Sequence, residues 1–282
     1  MFIAKQISSL HKVRAVDNLN MNEIAKETVL RGERFTYQIC LKSDAPVIGN
    51  ISIESPLLDN IRIYTVENSV MDAPVIDKVK EIGYITTEPG LMPDLLLPIE
   101  NNSVLTVNIT GKTLWIEVNI PNDMAKGEYK INFSYETFDF TAPDTTHAIT
   151  AIKTMAVEVL PVTKKEQSLI YTRWFYADCI ADYHNVPIYS DEHFDLIEAY
   201  IHEAVDVGIN MILVPIHTPP LDTAIGAVRP CVQLVDIKKV GNEYIFGFEK
   251  LQRFINICKR SGIRYYEMAH MFSQWGAKCA AN

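Results

Sequence analysis

From the start of the chain to about residue 160, apolar and polar positions alternate with a period of two. Phe35, Tyr37, Ile39 and Leu41 alternate with Thr36, Gln38 and Cys40. Leu114, Ile116, Val118 and Ile120 alternate with Trp115, Glu117 and Asn119, and Tyr129, Ile131, Phe133 and Tyr135 with Lys130, Asn132 and Ser134. This is the signature of half-buried antiparallel strands. Runs at Ile51 to Ile53, Ile61 to Val66 and Ala151 to Leu160 add more strands, and connections such as PNDMAKG, from Pro121 to Gly127, carry turn chemistry. Many short strands joined by such turns predict a β-sandwich over residues 1–160. The segment TTEPGLMPDLLLP, from Thr86 to Pro98, reads as a long irregular crossing, because its prolines forbid a central strand.

Residues 161–168, PVTKKEQS, form a polar linker, after which the period changes. Leu169 to Phe175 is an apolar run expected to be a strand, with Asp178, Asp182, Tyr183 and His184 in the loop that follows. A helix is expected to start at Ser190, a good N-cap, with Asp191 and Glu192 in a first turn that favours negative charge. Phe194, Ile197, Ile201, Ala204 and Val205 recur at helical spacing, and Gly208 closes the helix before a strand from Ile209 to Val214. A second helix, from Phe248 to about Lys259, carries Leu251, Phe254, Ile255 and Cys258 on one face. Gly262 closes it before a strand from Ile263 to Met268. Gly208-Ile209 and Gly262-Ile263 are therefore equivalent points in successive helix-to-strand units, an architecture with its functional loops after each strand. Three such strands fall short of a (β/α)8 barrel, which takes about 250 residues, and a doubly wound sheet also usually needs more. Either the domain over residues 169–282 is unusual or the chain is a fragment of a barrel.

Composition narrows the function. The chain is 48% hydrophobic and 22% charged with a formal charge of −9, ordinary for a globular protein and unlike a nucleic-acid-binding surface, which needs clustered cations. No segment approaches the about 18 apolar residues of a membrane span, and no signal peptide is visible. A cytoplasmic protein without membrane association is expected. The five cysteines, Cys40, Cys179, Cys231, Cys258 and Cys279, lack a C-x-x-C pair, so reduced, mostly buried thiols are expected rather than a disulfide framework or structural zinc. P-loop, dinucleotide, G-x-S-x-G and H-E-x-x-H motifs are absent from the sequence. Neither a cofactor nor a metal is expected.

TRWFYADCIADYHNVPIYSDEHF from Thr172, HTPPLDTAIGAVRPCVQLVD from His217 and YYEMAHMFSQWGAK from Tyr265 resemble the catalytic region of family 123-like glycoside hydrolases. RGERFTYQICLKSD from Arg31, PDLLLP from Pro93 and LWIEVNIPNDMAKGEYK from Leu114 resemble that family's N-terminal sandwich. The resemblance implies a β-sandwich followed by a (β/α)8 (TIM) barrel that cleaves β-linked N-acetylgalactosaminides. It also implies that an adjacent Asp-Glu pair does the chemistry: the Glu protonates the leaving oxygen while the Asp orients the substrate's own acetamido group for attack at the anomeric carbon. Such substrate assistance departs from the two-carboxylate scheme. In the family that pair follows the fourth barrel strand, beyond Asn282, and Tyr176 stands where many relatives carry a histidine. The only adjacent Asp-Glu here, Asp191-Glu192, reads as a capping and dipole feature, so no catalytic residue is assigned.

The substrate-binding candidates are Asp178, Asp182, Tyr183, His217, Asp222, Arg229, Glu267, His270, Gln274 and Trp275. Glu267 shares a side of its strand with Tyr265 and Ala269. An unpartnered carboxylate facing the covering helices would be costly, which favours the inward face of a barrel, with a structural ion pair as the alternative. His270 is either a hydrogen-bonder to substrate or a structural histidine, and Trp275 either a sugar-stacking platform or packing. Asp178 and Asp182 either bind sugar hydroxyls or cap loop amides. Asp222 and Arg229 read more readily as a local pair that shapes their loop. His193 and His202 are expected at the surface.

The expected protein is thus an inactive piece of a hydrolase whose partner is an N-acetylated glycan, with self-association through an open sheet edge. A non-catalytic carbohydrate-binding or interaction module built on the sandwich is the alternative.

Overall fold

The computed structural model describes residues 1–72, 83–138, 147–217 and 230–269. The chain divides into two compact units, residues 1–165 and 166–282.

The first unit contains two five-stranded sheets. One runs in the spatial order β1 (Phe2–Ser8), β3 (Arg34–Ser43), β8 (Lys112–Asn119), β5 (Ile61–Met71), β6 (Gly90–Ile99). The other runs β2 (Lys26–Arg31), β10 (His147–Thr163), β9 (Gly127–Phe138), β4 (Val47–Glu54), β7 (Val104–Val107). The register sets apolar opposite apolar, Tyr37 with Ile116 and Ile39 with Leu114, so one side of each strand pair enters a common core. Ile51, Ile53, Ile131, Phe133, Tyr135, Met155 and Val157 join Tyr37, Ile39, Leu114 and Ile116 there. Burial of each large side chain contributes about 1.5–3 kcal/mol.

Three sequence expectations change in this unit. The sandwich is not wholly antiparallel, because β2 and β10 pair in parallel. These strands are widely separated in sequence, so no hairpin dictates their direction. The expected irregular crossing is in part a strand: residues 90–99 form β6, paired with β5 at the sheet edge. Pro93 and Pro98 are tolerated because an edge strand has one side that needs no N–H donors. Finally, Gln38 and Cys40, on the polar side of the alternation, are buried, Cys40 in a small cluster with Ile7, Val13 and Leu19 beneath the connection between β1 and β2. Gln38 donates to the Ser8 carbonyl at 3.1 Å and the His11 carbonyl at 2.9 Å, which compensates its desolvation.

The second unit holds a parallel sheet in the order β11 (Thr172–Arg173), β12 (Met211–Val214), β15 (Tyr265–Met268). Helices α1 (Ala177–His184), α2 (Asp191–Asp206) and α3 (Glu249–Ser261) connect or cover its strands. Ser190 caps α2 as expected, its hydroxyl accepting from the His193 N–H at 3.2 Å. The two helix-to-strand points are structurally alike. Ile209 N–H reaches the Ala204 carbonyl at 3.0 Å and Ile263 N–H the Cys258 carbonyl at 3.0 Å, the six-to-one bond of a Schellman motif. Gly262 has φ +104, and a Cβ there would meet Val205 Cγ1 at 3.3 Å, so both conformation and space require glycine.

The run Leu169 to Phe175 yields only the two-residue strand β11, with Leu169, Ile170 and Trp174 exposed. The Asn210 side chain accepts the Tyr171 N–H at 2.8 Å, a side-chain contact in place of a ladder bond. Asp178, Asp182, Tyr183 and His184 lie in α1 rather than in a loop; Asn185, in the left-handed conformation at φ 54, ends that helix. A hairpin, β13 (Asp236–Val240) with β14 (Glu243–Gly247), precedes α3. Its signal was present in the sequence as the two-residue turn Gly241-Asn242. Of the described cysteines, Cys40 and Cys258 are buried whereas Cys179 and Cys231 are exposed, so burial is not the rule. Among the described residues no helix is long and apolar enough to cross a membrane.

Candidate functional site

The parallel sheet has two chemically different faces. Ile212 and Val214 pack with Ile197, Ile201, Phe254 and Ile257 of α2 and α3, and Tyr266 packs against the same cluster. Alternation therefore turns Thr172, Met211, Leu213, Tyr265 and Glu267 to the opposite face, and the register places Thr172 beside Met211 and Leu213 beside Glu267. On that face the Thr172 hydroxyl donates to Glu267 Oε2 at 3.4 Å, and Tyr265 remains exposed. A carboxylate, a hydroxyl and a phenol thus share one face of the parallel sheet, Glu267 in the C-terminal half of β15 and Thr172 and Tyr265 at the first positions of β11 and β15. They can accept and donate hydrogen bonds to a polyhydroxylated ligand and present an aromatic surface.

A second cluster surrounds Asp178, which is 1% exposed. His193, also fully buried, faces it. This overturns the surface placement of His193: it continues the stripe of Ile197 and Ile201 at four-residue spacing and so turns inward with them. Its hydrogen bonds define its tautomer. Tyr189 N–H donates to Nδ1 at 2.9 Å, so the proton is on Nε2, which donates to the Ala177 carbonyl at 2.9 Å. Burial pushes the imidazole pKa below its ordinary value, while the Ala177 carbonyl and the Asp178 carboxylate oppose that shift. A neutral histidine thus ties the start of α1 to the residue before the N-cap of α2. Tyr189 sits at φ 57 and is stacked on Phe194 with ring centroids 5.2 Å apart. Its hydroxyl donates to the Val232 carbonyl, and burial raises its pKa. These contacts hold a left-handed conformation that a tyrosine rarely adopts.

The remaining candidates are dispersed. Asp182 and Tyr183 are exposed on α1; Asp182 lies one turn from Asp178 but in solvent. The Tyr183 ring meets the edge of His184 at 5.0 Å, and His184 shares a hydrogen bond of 3.1 Å with Tyr200. His217 is half-buried in the segment after β12. Asp222, Arg229, His270, Gln274 and Trp275 lie outside the described residues, as does Cys279. The structure therefore joins Glu267 to Thr172, and Asp178 to His193 and Tyr189. Thr172, Tyr189 and Tyr265 were not among the sequence candidates. Strand alternation with Glu267 could have found Tyr265, but nothing local marks the positive φ of Tyr189. Among the described residues no group of three or more His, Cys, Asp or Glu side chains could hold a metal ion.

Comparison with known proteins bears on the second unit most directly. The family model for the glycoside hydrolase 123 catalytic domain matches residues 174–282. No curated protein matches the chain. Among solved structures, a family 123 glycoside hydrolase from Clostridium perfringens, described in connection with glycolipid glycan hydrolysis, is similar with a TM-score of 0.69. The identity is 14%, over 94% of this chain and 46% of that chain. The chain spans about half the length of that structure, and likeness at this identity is a likeness of fold. The N-terminal domain of PorA (TM-score 0.28, 11% identity, 57% of this chain and 99% of that one) is too distant to bear on the argument. So is a type I cohesin from Pseudobacteroides cellulosolvens (0.24, 9%, 51% and 94%). The resemblance read from the sequence stands where the family model matches: residues 174–282 are similar to the glycoside hydrolase 123 catalytic domain, and the fold is similar to that of a family 123 structure.

Proposed function

We propose that the second unit is the opening part of a (β/α) barrel of a glycoside hydrolase, and that it binds β-linked N-acetylgalactosaminides without cleaving them by itself. The observation that carries this reading is the placement of Glu267 with Thr172 on the sheet face turned away from α2 and α3. In a barrel that face is the interior, and ligands gather at the C-terminal ends of its strands. Glu267, in the C-terminal half of β15, and its hydrogen-bond partner Thr172 then orient sugar hydroxyls, with His217, His270, Gln274 and Trp275 as the further candidate contacts.

The chemistry belongs to a carboxylate pair. In substrate-assisted cleavage the acetamido oxygen bonds to the anomeric carbon as the glycosidic C–O bond breaks, and an acid gives its proton to the departing oxygen. Water then opens the cyclic intermediate and returns a proton to that acid. The only adjacent Asp-Glu in this sequence, Asp191-Glu192, lies exposed in the first turn of α2, with Asp191 paired to Arg253. That position serves the helix dipole and a surface ion pair.

The test is an assay of this chain on an aryl N-acetyl-β-galactosaminide, with calorimetric titration of N-acetylgalactosamine in parallel. Binding without turnover is expected, with binding lost in Glu267→Gln. Turnover that disappears in the same variant would overturn the assignment of Glu267 as a binding residue only. Glycan binding unaffected by Glu267→Gln would instead favour a carbohydrate-binding module seated on the sandwich. The outer strands of the three-stranded sheet, β11 and β15, also leave an edge suited to pairing with another chain; light scattering at increasing concentration should show self-association.

A further inference from the structure

Outside the proposed glycan site, the first unit contains a cavity of about 140 Å³ between the segment 13–19 and the neighbouring ends of β3, β8 and β5. Several departures from regular backbone geometry converge on it. Val16 and Leu19, neither of them glycine, have φ of 59° and 53°. Gly111 has φ +77, and a Cβ there would meet the Leu41 carbonyl oxygen at 3.2 Å. The β5–β6 register shifts between Glu67 and Asn68. Bulges and left-handed non-glycine residues persist where the surroundings enforce them and concentrate at ligand sites. Here the enforcement is visible. Val13 and Leu19 are buried against Ile7 and Cys40, Lys42 Nζ donates to the Asp17 carbonyl at 2.6 Å, and the Asp17 carboxylate accepts the Leu19 N–H at 2.7 Å. The segment is thus fastened at both ends, and a space is left beside it.

The charges around that space are unequally committed. Lys112 is paired with Glu67 at 2.5 Å. The Asp17 carboxylate is turned to a backbone amide, while Lys42 is held by a neutral carbonyl. Arg14 is half-buried; its carbonyl accepts the Asp17 N–H at 3.1 Å, whereas its guanidinium makes no hydrogen bond or ion pair among the described residues. Three cations thus meet two carboxylates around the cavity, an excess of positive charge in a chain whose formal charge is −9. A guanidinium without a partner supplies parallel N–H donors in the geometry that a phosphate, sulfate or carboxylate accepts. We propose that this cavity binds a compact oxyanion, with Arg14 as its principal donor and Lys42 as the second positive charge.

The test is calorimetric titration of the full chain, in a chloride buffer free of oxyanions, with inorganic phosphate, sulfate and acetate in turn. Sodium chloride at matched ionic strength controls for screening. Saturable binding of at least one oxyanion is expected, not reproduced by chloride. Arg14→Gln should weaken it by about tenfold or more, the scale of a lost charge-assisted contact. Phosphate or sulfate in preference to acetate identifies a tetrahedral ligand; the reverse identifies a carboxylate. Asn68→Asp, which adds a negative charge at the exposed rim, should weaken binding without touching the core and keeps the test decisive should Arg14→Gln not fold. No saturable binding of any of the three oxyanions overturns the proposal. So does binding that is unchanged in Arg14→Gln or, where that variant does not fold, in Asn68→Asp.

Discussion

In residues 1–165 a sheet is covered by another sheet; in residues 166–282 a sheet is covered on one face by helices. The first arrangement returns every apolar side of the central strands to one core, with Tyr37, Ile39, Leu114 and Ile116 of one sheet meeting Ile131, Phe133 and Tyr135 of the other. The second gives Ile212 and Val214 to the helices and leaves Thr172, Tyr265 and Glu267 on the opposite face. Parallel sheets are ordinarily buried on both faces. A face that carries a carboxylate and an exposed tyrosine is therefore where a ligand, rather than a further packing layer, is to be sought.

The sharpest way to break this comparison is to empty each core in turn. Phe133→Ala in the sandwich and Phe254→Ala under the parallel sheet each remove a fully buried ring and should cost about 3–5 kcal/mol. If the two units melt separately, calorimetry will show each substitution lowering one transition and leaving the other in place. A shift of both together would mean that the cores are energetically one.

A smaller difference lies in acid. In the second unit, burial lowers the pKa of His193 from its ordinary 6.5, so the unfolded chain takes up the proton more readily than the folded one. Stability from this group is complete above that value and declines as pH falls below it toward the lowered folded-state pKa. In the first unit the groups held below their ordinary pKa are the carboxylates of Glu23 and Glu67. Burial opposes ionisation of Glu67, but hydrogen bonds from Lys112 and Thr65 outweigh it and lower its pKa from 4.5, so its contribution is lost only as pH falls below that ordinary value. Acid should therefore begin to weaken the second unit at a higher pH than the first. His193→Gln should flatten the dependence immediately below pH 6.5, at a cost of about 1–3 kcal/mol for each buried partner left unpaired. An unchanged pH profile would refute the neutral, buried assignment.

What could be read from the sequence follows the same division. The central strands were legible because alternation along β3, β8 and β9 coincides with a sheet that has one buried side. α2 and α3 were legible from Ser190, Gly208 and Gly262, whose effects are local. The parallel pairing of β2 with β10 and the edge strand β6 were not legible, because each depends on partners distant in sequence. The burial of His193 was legible in its four-residue spacing to Ile197 and Ile201 but was missed because histidine is polar. Alternation also assigned Glu267 to the side of Tyr265, where the structure has it, but could not reveal Thr172 from another strand as its neighbour. Ser190→Ala tests the local part of this account: loss of the hydroxyl that accepts the His193 N–H should cost about 1 kcal/mol, measured as a small fall in the denaturation midpoint of the second unit alone.

The smallest effect on stability is expected where the effect on binding is largest. Glu267 is half-exposed, and Thr172 reaches it over a long 3.4 Å. Glu267→Gln keeps the side-chain shape and an acceptor for that hydroxyl, so stability should change by no more than about 0.5 kcal/mol, as for a surface position. A carboxylate held in a structural ion pair would behave differently, because its removal would leave a charge without its partner and cost several kcal/mol. Denaturant unfolding of this variant therefore separates the two readings before any ligand is added. A near-neutral result combined with lost affinity for N-acetylgalactosamine assigns the side chain to the ligand, and a large loss of stability assigns it to the fold.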